Sequence, residues 1–209
     1  MFGIENYSAF LLAGILLNIT PGNDSIYIIS RSISQGRKAG IVSVLGIGTG
    51  ALVHIGFAAC GLSAVLAASS IAYGAVRIAG AAYLIFVGIA LLRNRGNEDL
   101  QANNLPKEIS YAQIYRQGFL TNLLNPKMAL FFLSFLPQFV SPTNEYGPIP
   151  FLILGFTFLC TGTIWCFFLA WFAGTLSASL RKNARIAKRL QSLCGGLFVL
   201  LGLRIAVDR

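Results

Sequence analysis

Apolar residues along this 209-residue chain gather into six long segments that are separated by shorter polar connections. Each segment is close to or above the roughly 20 helical residues that cross the hydrocarbon core of a bilayer. The pattern therefore predicts an all-α polytopic membrane protein that forms a single membrane domain over residues 1–209. The six predicted transmembrane segments are residues 7–30, 39–69, 71–92, 118–140, 149–176 and 190–207.

One extended polar stretch, residues 94–113, interrupts this pattern. It contains charged residues such as Glu98 and Lys107 and separates the first three segments from the last three. We therefore expect a first three-helix repeat over residues 1–93, a cytoplasmic linker over the polar stretch, and a second three-helix repeat over residues 114–209.

The composition supports a membrane protein and excludes a soluble domain. Hydrophobic residues make up 56% of the chain and charged residues only 11%, whereas soluble domains carry about 25% charged residues. The first six residues contain no Lys or Arg, so the positive start of a cleavable signal peptide is missing. We therefore expect the first apolar segment to remain in the protein as a transmembrane helix.

The basic residues are distributed unevenly between the connections. Twelve of the 16 Lys and Arg residues lie in the first, third and fifth connections, and none lies in the second or fourth. The positive-inside rule then places the odd-numbered connections in the cytoplasm and both termini outside. This topology accounts for the net charge of +9 without a nucleic-acid partner. The twelve residues are Arg31, Arg37, Lys38, Arg93, Arg95, Lys107, Arg116, Arg181, Lys182, Arg185, Lys188 and Arg189.

The two halves would enter the membrane with opposite orientations, which is typical of transporters built from inverted repeats. Residues 80–88 resemble residues 194–202, and residues 18–22 correspond to residues 123–127. The sequence therefore predicts two inverted three-helix repeats.

Pro21 and Pro126 lie near the centres of the first and fourth segments. Proline removes a backbone donor and clashes with the preceding turn, so each helix should kink or break there. Backbone groups freed by a break must face protein or a water-filled cavity. Matched breaks in two halves indicate a substrate site near the midplane, whereas the alternative is a pair of ordinary kinks that only shape packing.

Two ionisable residues, Asp24 and Lys127, follow these prolines. Charge at that depth costs about 2.5–3.5 kcal/mol on insertion scales. The two side chains either pair with each other or flank a cavity. In a cavity, Lys127 and the N–H groups that begin a half-helix suit a carboxylate, while Asp24 suits an ammonium group. A zwitterion fits this arrangement.

The residues around the breaks form the candidate substrate site. The asparagines among them either bind substrate or satisfy freed backbone groups. The candidate substrate-binding residues are Asn18, Thr20, Pro21, Gly22, Asn23, Asp24, Asn122, Asn125, Pro126 and Lys127.

His54 is the only histidine of the chain and lies deep in the second segment. It shares a helix face with Gly46 and Gly50, whose spacing allows close helix contact. His54 should therefore face the bundle. It acts either as a proton-coupling group, together with Asp24, or as a buried neutral histidine that bonds a carbonyl or hydroxyl.

Neither a metal nor a cofactor is expected. The four cysteines lie singly in apolar segments, without a CxxC pair, and are interpreted as small buried hydrophobic residues. An exporter of metal cations or other small solutes is the second transport hypothesis, but one histidine and one clear intramembrane carboxylate are few ligands for it. A membrane redox or enzymatic protein is the alternative from another class, and it lacks a reactive cluster.

Several motifs together resemble the LysE/RhtB family of bacterial amino-acid exporters. The resemblance is most specific in Thr20-Pro21-Gly22-Asn23-Asp24 and in residues 118–127, which end in Asn125-Pro126-Lys127. It continues in residues 34–40 and 135–139 and covers nearly the whole chain. The family motif usually has a second proline where this chain has Asn23.

The resemblance implies a six-span protein of the bacterial inner membrane that exports amino acids by proton antiport, and the positive-inside rule then places both termini on the periplasmic side. Threonine, homoserine, leucine and basic amino acids are the implied substrates, and the direction of transport rests on the resemblance. The expected partners are this substrate and the lipid bilayer, and a homo-oligomer is compatible with the architecture. The chain is thus predicted to be a transporter and not an enzyme. Family positions carry over to Thr20, Pro21, Gly22, Asp24, Asn125, Pro126 and Lys127.

Overall fold

The computed structural model describes residues 2–93 and 108–182, together with six isolated helical positions between residues 192 and 203. Within these residues the backbone is helical apart from short turns and an isolated β-bridge between Ile4 and Val140. The predicted all-α class is therefore confirmed for the described part. Most of the predicted linker and most of the sixth apolar segment lie outside the described residues.

Seven α-helices are described, two of which continue into tighter or wider helical turns. A π-helical turn, Ala58–Leu62, follows the helix that ends at Phe57. The helix that ends at Leu130 continues through a π-helical turn, Phe131–Phe135, and a 3₁₀ turn, Leu136–Phe139. The helices are α1 Tyr7–Ile19, α2 Asn23–Phe57, α3 Ser63–Ala68, α4 Ser70–Arg93, α5 Tyr111–Leu123, α6 Pro126–Leu130 and α7 Ile149–Lys182.

Two helical stretches of the described residues, Asn23–Ala68, which is interrupted at Gly36, and Ile149–Ala173, are long and apolar enough to cross a membrane. A third is obtained if the bent pair Tyr111–Leu123 and Pro126–Phe139, which meets at 49°, counts as one span. Tyr7–Ile19 and Ile71–Ala82 are shorter apolar helices. These lengths fit a multi-pass membrane protein, while six spans and the inverted repeat stay predictions.

The long α2 folds back on itself at Gly36. This residue has φ +80° and ψ 178°, a backbone conformation that glycine adopts without steric cost. A Cβ placed on Gly40 would meet the Ser32 side chain, although in a straight helix these residues would lie about 12 Å apart along the axis. Residues 23–35 and 37–57 therefore run side by side, as the end of the first predicted segment and the start of the second.

The second arm of α2 packs closely against α5 through small residues. A Cβ on Gly46 would meet the Tyr115 backbone, and one on Gly50 would come within 2.9 Å of the Asn122 side chain. On the facing helix, a Cβ on Gly118 would lie 2.9 Å from the Ser43 carbonyl oxygen. The close contact predicted from the Gly46 and Gly50 spacing is confirmed, and it fixes the position of Asn122.

A cluster of phenylalanine rings joins three parts of the chain, namely α1, α7 and the two helical turns that follow α6. Phe131 stacks on Phe158 with ring centroids 4.1 Å apart, and Phe10 meets Phe139 at 5.3 Å. The start of the chain is tied to the same region, because the Glu5 N–H donates to the Phe139 carbonyl oxygen at 2.9 Å. This packing holds the two interrupted segments next to each other.

Candidate functional site

Two helix breaks face each other in the structure, and both lie at the predicted prolines. The first consists of Thr20, Pro21 and Gly22, between the end of α1 and the start of α2. The second lies between α5 and α6, where Asn125 is extended and Pro126 is the first residue of the new helix. The predicted interruption of these two segments is therefore confirmed.

Each proline deprives the carbonyl four residues earlier of its helical hydrogen bond. For Pro21 this carbonyl belongs to Leu17, and it accepts a hydrogen bond from Lys127 Nζ at 3.1 Å. For Pro126 it belongs to Asn122, and it accepts from the Asn125 backbone N–H at 3.0 Å and from His54 Nε2 at 3.2 Å. Both carbonyls thus bond a side chain from a distant part of the sequence, and the Asn122 carbonyl keeps a backbone partner as well.

The charged side chains beside the two breaks also form hydrogen bonds across the space between them. Lys127 Nζ donates a second hydrogen bond to the Thr20 carbonyl oxygen at 3.1 Å. In return, the two Asp24 carboxylate oxygens accept from the amides of Asn122 at 2.8 Å and Asn125 at 3.2 Å. The charged side chain beside each break therefore bonds residues of the other break. These contacts stabilise both half-buried charges, because each meets groups of complementary polarity.

A cavity of about 60 Å³ lies between the breaks, enough for several water molecules. Its wall combines polar groups from the breaks with apolar side chains of α2 and α7. Seven of the ten predicted substrate-binding residues line it, namely Asn18, Thr20, Gly22, Asp24, Asn122, Asn125 and Lys127.

The family model for LysE type translocators matches residues 15–209. The chain belongs to the LysE type translocator family. Over 205 residues it is 32% identical to the homoserine/homoserine lactone efflux protein of Salmonella typhimurium, with 98% of both chains covered. An uncharacterized membrane protein of Vibrio cholerae is 32% identical over 206 residues, which cover 99% of this chain and 98% of the relative. No solved structure matches the chain.

Four predicted residues of this LysE type translocator do not line the cavity. Pro21, Asn23 and Pro126 are absent from its wall. Asn23 and Pro126 are exposed instead. His54 is also absent from the wall. It is buried, with 8% of its surface exposed, and stacks on Phe132 with ring centroids 5.8 Å apart.

The geometry of His54 in the translocator matches the second reading of the sequence, a buried histidine bonded to a carbonyl. Because a carbonyl oxygen only accepts, Nε2 of His54 carries the proton of its bond to Asn122. A proton-coupling role for His54 stays a prediction.

The sequence reading missed the wall that α7 contributes to the translocator's cavity. Thr163 and Cys166 bring a hydroxyl and a thiol to it, beside the ring of Phe158. A faint signal was present, because small and polar residues recur at one-turn spacing in an otherwise apolar helix. The other unpredicted wall residues are Leu17, Ser25, Val44, Ile47, Gly48, Ala51, Met128, Leu159 and Gly162.

Asn18 fastens α1 of the translocator to this wall. Its amide nitrogen donates to the Phe158 carbonyl oxygen at 3.3 Å and to the Thr161 hydroxyl at 3.1 Å. Gly162 makes the contact possible, since a Cβ there would lie 2.9 Å from Asn18 Oδ1. Asn18 therefore connects the first break to α7 and lines the cavity as well.

Proposed function

We propose that this translocator exports amino acids or close derivatives from the cytoplasm as a secondary transporter. The observation that carries the proposal is the cavity between the breaks, where one carboxylate and one ammonium group lie together. Two relatives of nearly equal length are named homoserine/homoserine lactone efflux proteins, which supports the same substrate class.

The two charges of the cavity complement those of an amino acid. Asp24 would face the α-ammonium group, and Lys127 would face the carboxylate. Because one negative and one positive group balance, a zwitterion enters without adding net charge to a poorly hydrated site. A basic side chain would bring a further positive charge, and Asp24 is the single carboxylate among the described wall residues.

The remaining wall favours a short, uncharged substrate side chain. Val44 and Ile47 of α2 and Phe158 of α7 supply apolar surface, and Thr163 supplies a hydroxyl. Besides Asp24 and Lys127, no charged side chain lies in the described part of the wall. Small neutral amino acids, with or without a hydroxyl group, are the substrates that this wall suits.

Proton antiport is the proposed energy source. Asp24 and His54 are the candidate proton carriers, and the geometry favours Asp24 because it lines the cavity. The proposal includes six spans in two inverted repeats, residues 1–93 and 114–209, with the substrate-binding set predicted above. It places the chain in the bacterial inner membrane, with the basic connections in the cytoplasm and both termini outside.

An efflux measurement tests the proposal. Bacterial cells with and without the protein are loaded with dipeptides, and each amino acid released by hydrolysis is followed in the medium. We expect faster appearance of small neutral amino acids in cells that carry the protein, and no increase with an Asp24→Asn variant present in the membrane at the same level. Equal efflux of every amino acid in all three strains would refute amino-acid export.

A further inference from the structure

The ammonium group of Lys127 occupies a site that the first break builds from its own backbone. Its nitrogen lies 3.1 Å from the carbonyl oxygens of both Leu17 and Thr20. A Cβ on Gly22 would lie 3.5 Å from the same atom, an ordinary van der Waals distance, so the ammonium group also lies close to the Gly22 backbone. Asp24 lines the same cavity and interacts electrostatically with Lys127.

Two carbonyl oxygens and a nearby carboxylate form a set of acceptors for a primary ammonium ion. A primary ammonium carries three N–H donors and one positive charge, and each of these needs an acceptor or a counter-charge when water is scarce. The α-ammonium group of an amino acid is the same functional group as the end of the Lys127 side chain. The site therefore suits both.

We propose that the first break is a binding site for primary ammonium ions, and that Lys127 is its tethered occupant, which the α-ammonium group of the substrate displaces. Leu17 and Thr20 then bind the substrate through their carbonyl oxygens, next to Asp24. The displaced Lys127 ammonium pairs with the substrate carboxylate. The identity of the substrate rests on the proposed function, whereas the ammonium site rests on the contacts described above.

The exchange keeps both carbonyls of the ammonium site paired. Before it, the two carbonyls accept from Lys127, and after it they accept from the substrate, so neither state leaves a buried acceptor unpaired. Asp24 faces a cation in both states. The flexible four-carbon stem of lysine allows the movement, and Lys127 begins close to the cavity because the Asn125 side chain caps its backbone N–H at 3.0 Å.

Chemical rescue of a Lys127→Ala variant tests the site without any transport. The purified variant is heated in detergent with n-propylammonium chloride, and with tetramethylammonium chloride as an ion of equal charge that has no N–H donor. We expect the variant to unfold at a lower temperature than the wild type. Propylammonium should raise its Tm saturably by about 3 °C or more, while tetramethylammonium should have no such effect.

Two further variants make this result decisive. Lys127→Ser repeats the measurement with another small residue if the alanine variant does not fold. His54→Ala serves as the matched control, because it removes the side-chain donor to the Asn122 carbonyl at the second break and leaves the Lys127 ammonium in place. Propylammonium should not restore its Tm.

Equal stabilisation by both ions, equal rescue of His54→Ala, or no rescue of either Lys127 variant would overturn the ammonium site. Rescue in a protein that exports no amino acid would leave the site in place and refute only the proposed function. Amino-acid export by the wild type without rescue of either Lys127 variant would refute the ammonium site and leave the proposed function in place.

Discussion

The Leu17 carbonyl, freed by Pro21, is paired with the flexible ammonium group of Lys127, whereas the Asn122 carbonyl, four residues before Pro126, accepts from the Asn125 N–H and from the rigid imidazole ring of His54. The first break thus relies on a flexible side chain, and the second on its own backbone and a rigid ring. Lys127 lines the cavity, while His54 is buried and stacked on Phe132.

This difference separates the tasks of the two breaks. At the second break, Asn122 is held by His54 through its carbonyl and by the close approach of Gly50 to its side chain. Such packing leaves little freedom for rearrangement. At the first break, the partner of the freed carbonyl lines the cavity. We therefore interpret the second break as the fixed support and the first as the part that exchanges partners with substrate.

The largest effect is expected from Asp24→Asn, which removes the carboxylate in the first turn of α2, directly after the first break. The variant leaves Lys127 without its counter-charge and places an amide against the amides of Asn122 and Asn125. Initial rates of amino-acid efflux should fall by about 100-fold, equivalent to roughly 2.7 kcal/mol. Glu5→Gln is the control, since this carboxylate lies outside the cavity wall, and its efflux should equal that of the wild type. A comparable loss in both variants would show that the carboxylate at the break has no special role.

The fixed support is tested by Gly46→Ala, because a Cβ there would meet the backbone of Tyr115. Overpacking of this kind costs about 1–3 kcal/mol and should lower the Tm in detergent by roughly 2–10 °C. Gly56→Ala is the matched control on the same helix, since a Cβ there meets nothing within 4 Å. Equal Tm values for the two variants would contradict a tight α2–α5 contact.

A smaller and more selective effect should follow Lys127→Ala, measured with two substrates. Homoserine carries a carboxylate and homoserine lactone does not, so only homoserine should lose the partner that Lys127 provides. We expect efflux of homoserine to fall about tenfold more than efflux of the lactone, a difference of roughly 1.4 kcal/mol. Equal losses for the two compounds would argue that Lys127 does not meet the carboxylate.

The smallest effect is expected from His54→Gln, because the glutamine amide can still donate to the Asn122 carbonyl. Efflux should change by less than about threefold, equivalent to roughly 0.7 kcal/mol, and its pH profile should keep its shape. His54→Ala, which has no donor, should lower the Tm more than His54→Gln does. A shifted pH profile in the glutamine variant would assign proton transfer to His54 instead.

The positions of the breaks and of their charged residues could be predicted from the sequence. Proline acts on its own turn, so Pro21 and Pro126 interrupt their helices whatever surrounds them. Asp24 and Lys127 stand out because charge is costly inside a membrane and is retained there only with partners. These inferences needed no knowledge of the tertiary contacts.

The partners of these residues could not be predicted in the same way. The acceptors of Lys127 are backbone carbonyls, which every residue has and which no side-chain pattern reveals. The α7 wall of the cavity lies in a helix that is apolar over most of its surface, so its periodicity only weakly distinguishes the face with Thr163 and Cys166 from the face toward lipid. The reversal at Gly36 depends on a single backbone conformation that glycine permits and does not dictate.

The contacts between the two breaks can form only late in the synthesis of the protein. Leu17 and Lys127 are 110 positions apart, and Asp24 and Asn122 are 98 positions apart. A ribosome adds about 5–20 residues per second, so the first break waits roughly 5–20 s for its partner to be made. During that interval an unpaired carboxylate and a free carbonyl must stay hydrated or be shielded by the insertion machinery. A nascent chain that stops before residue 127 therefore lacks the donor to the Leu17 carbonyl and the cation beside Asp24.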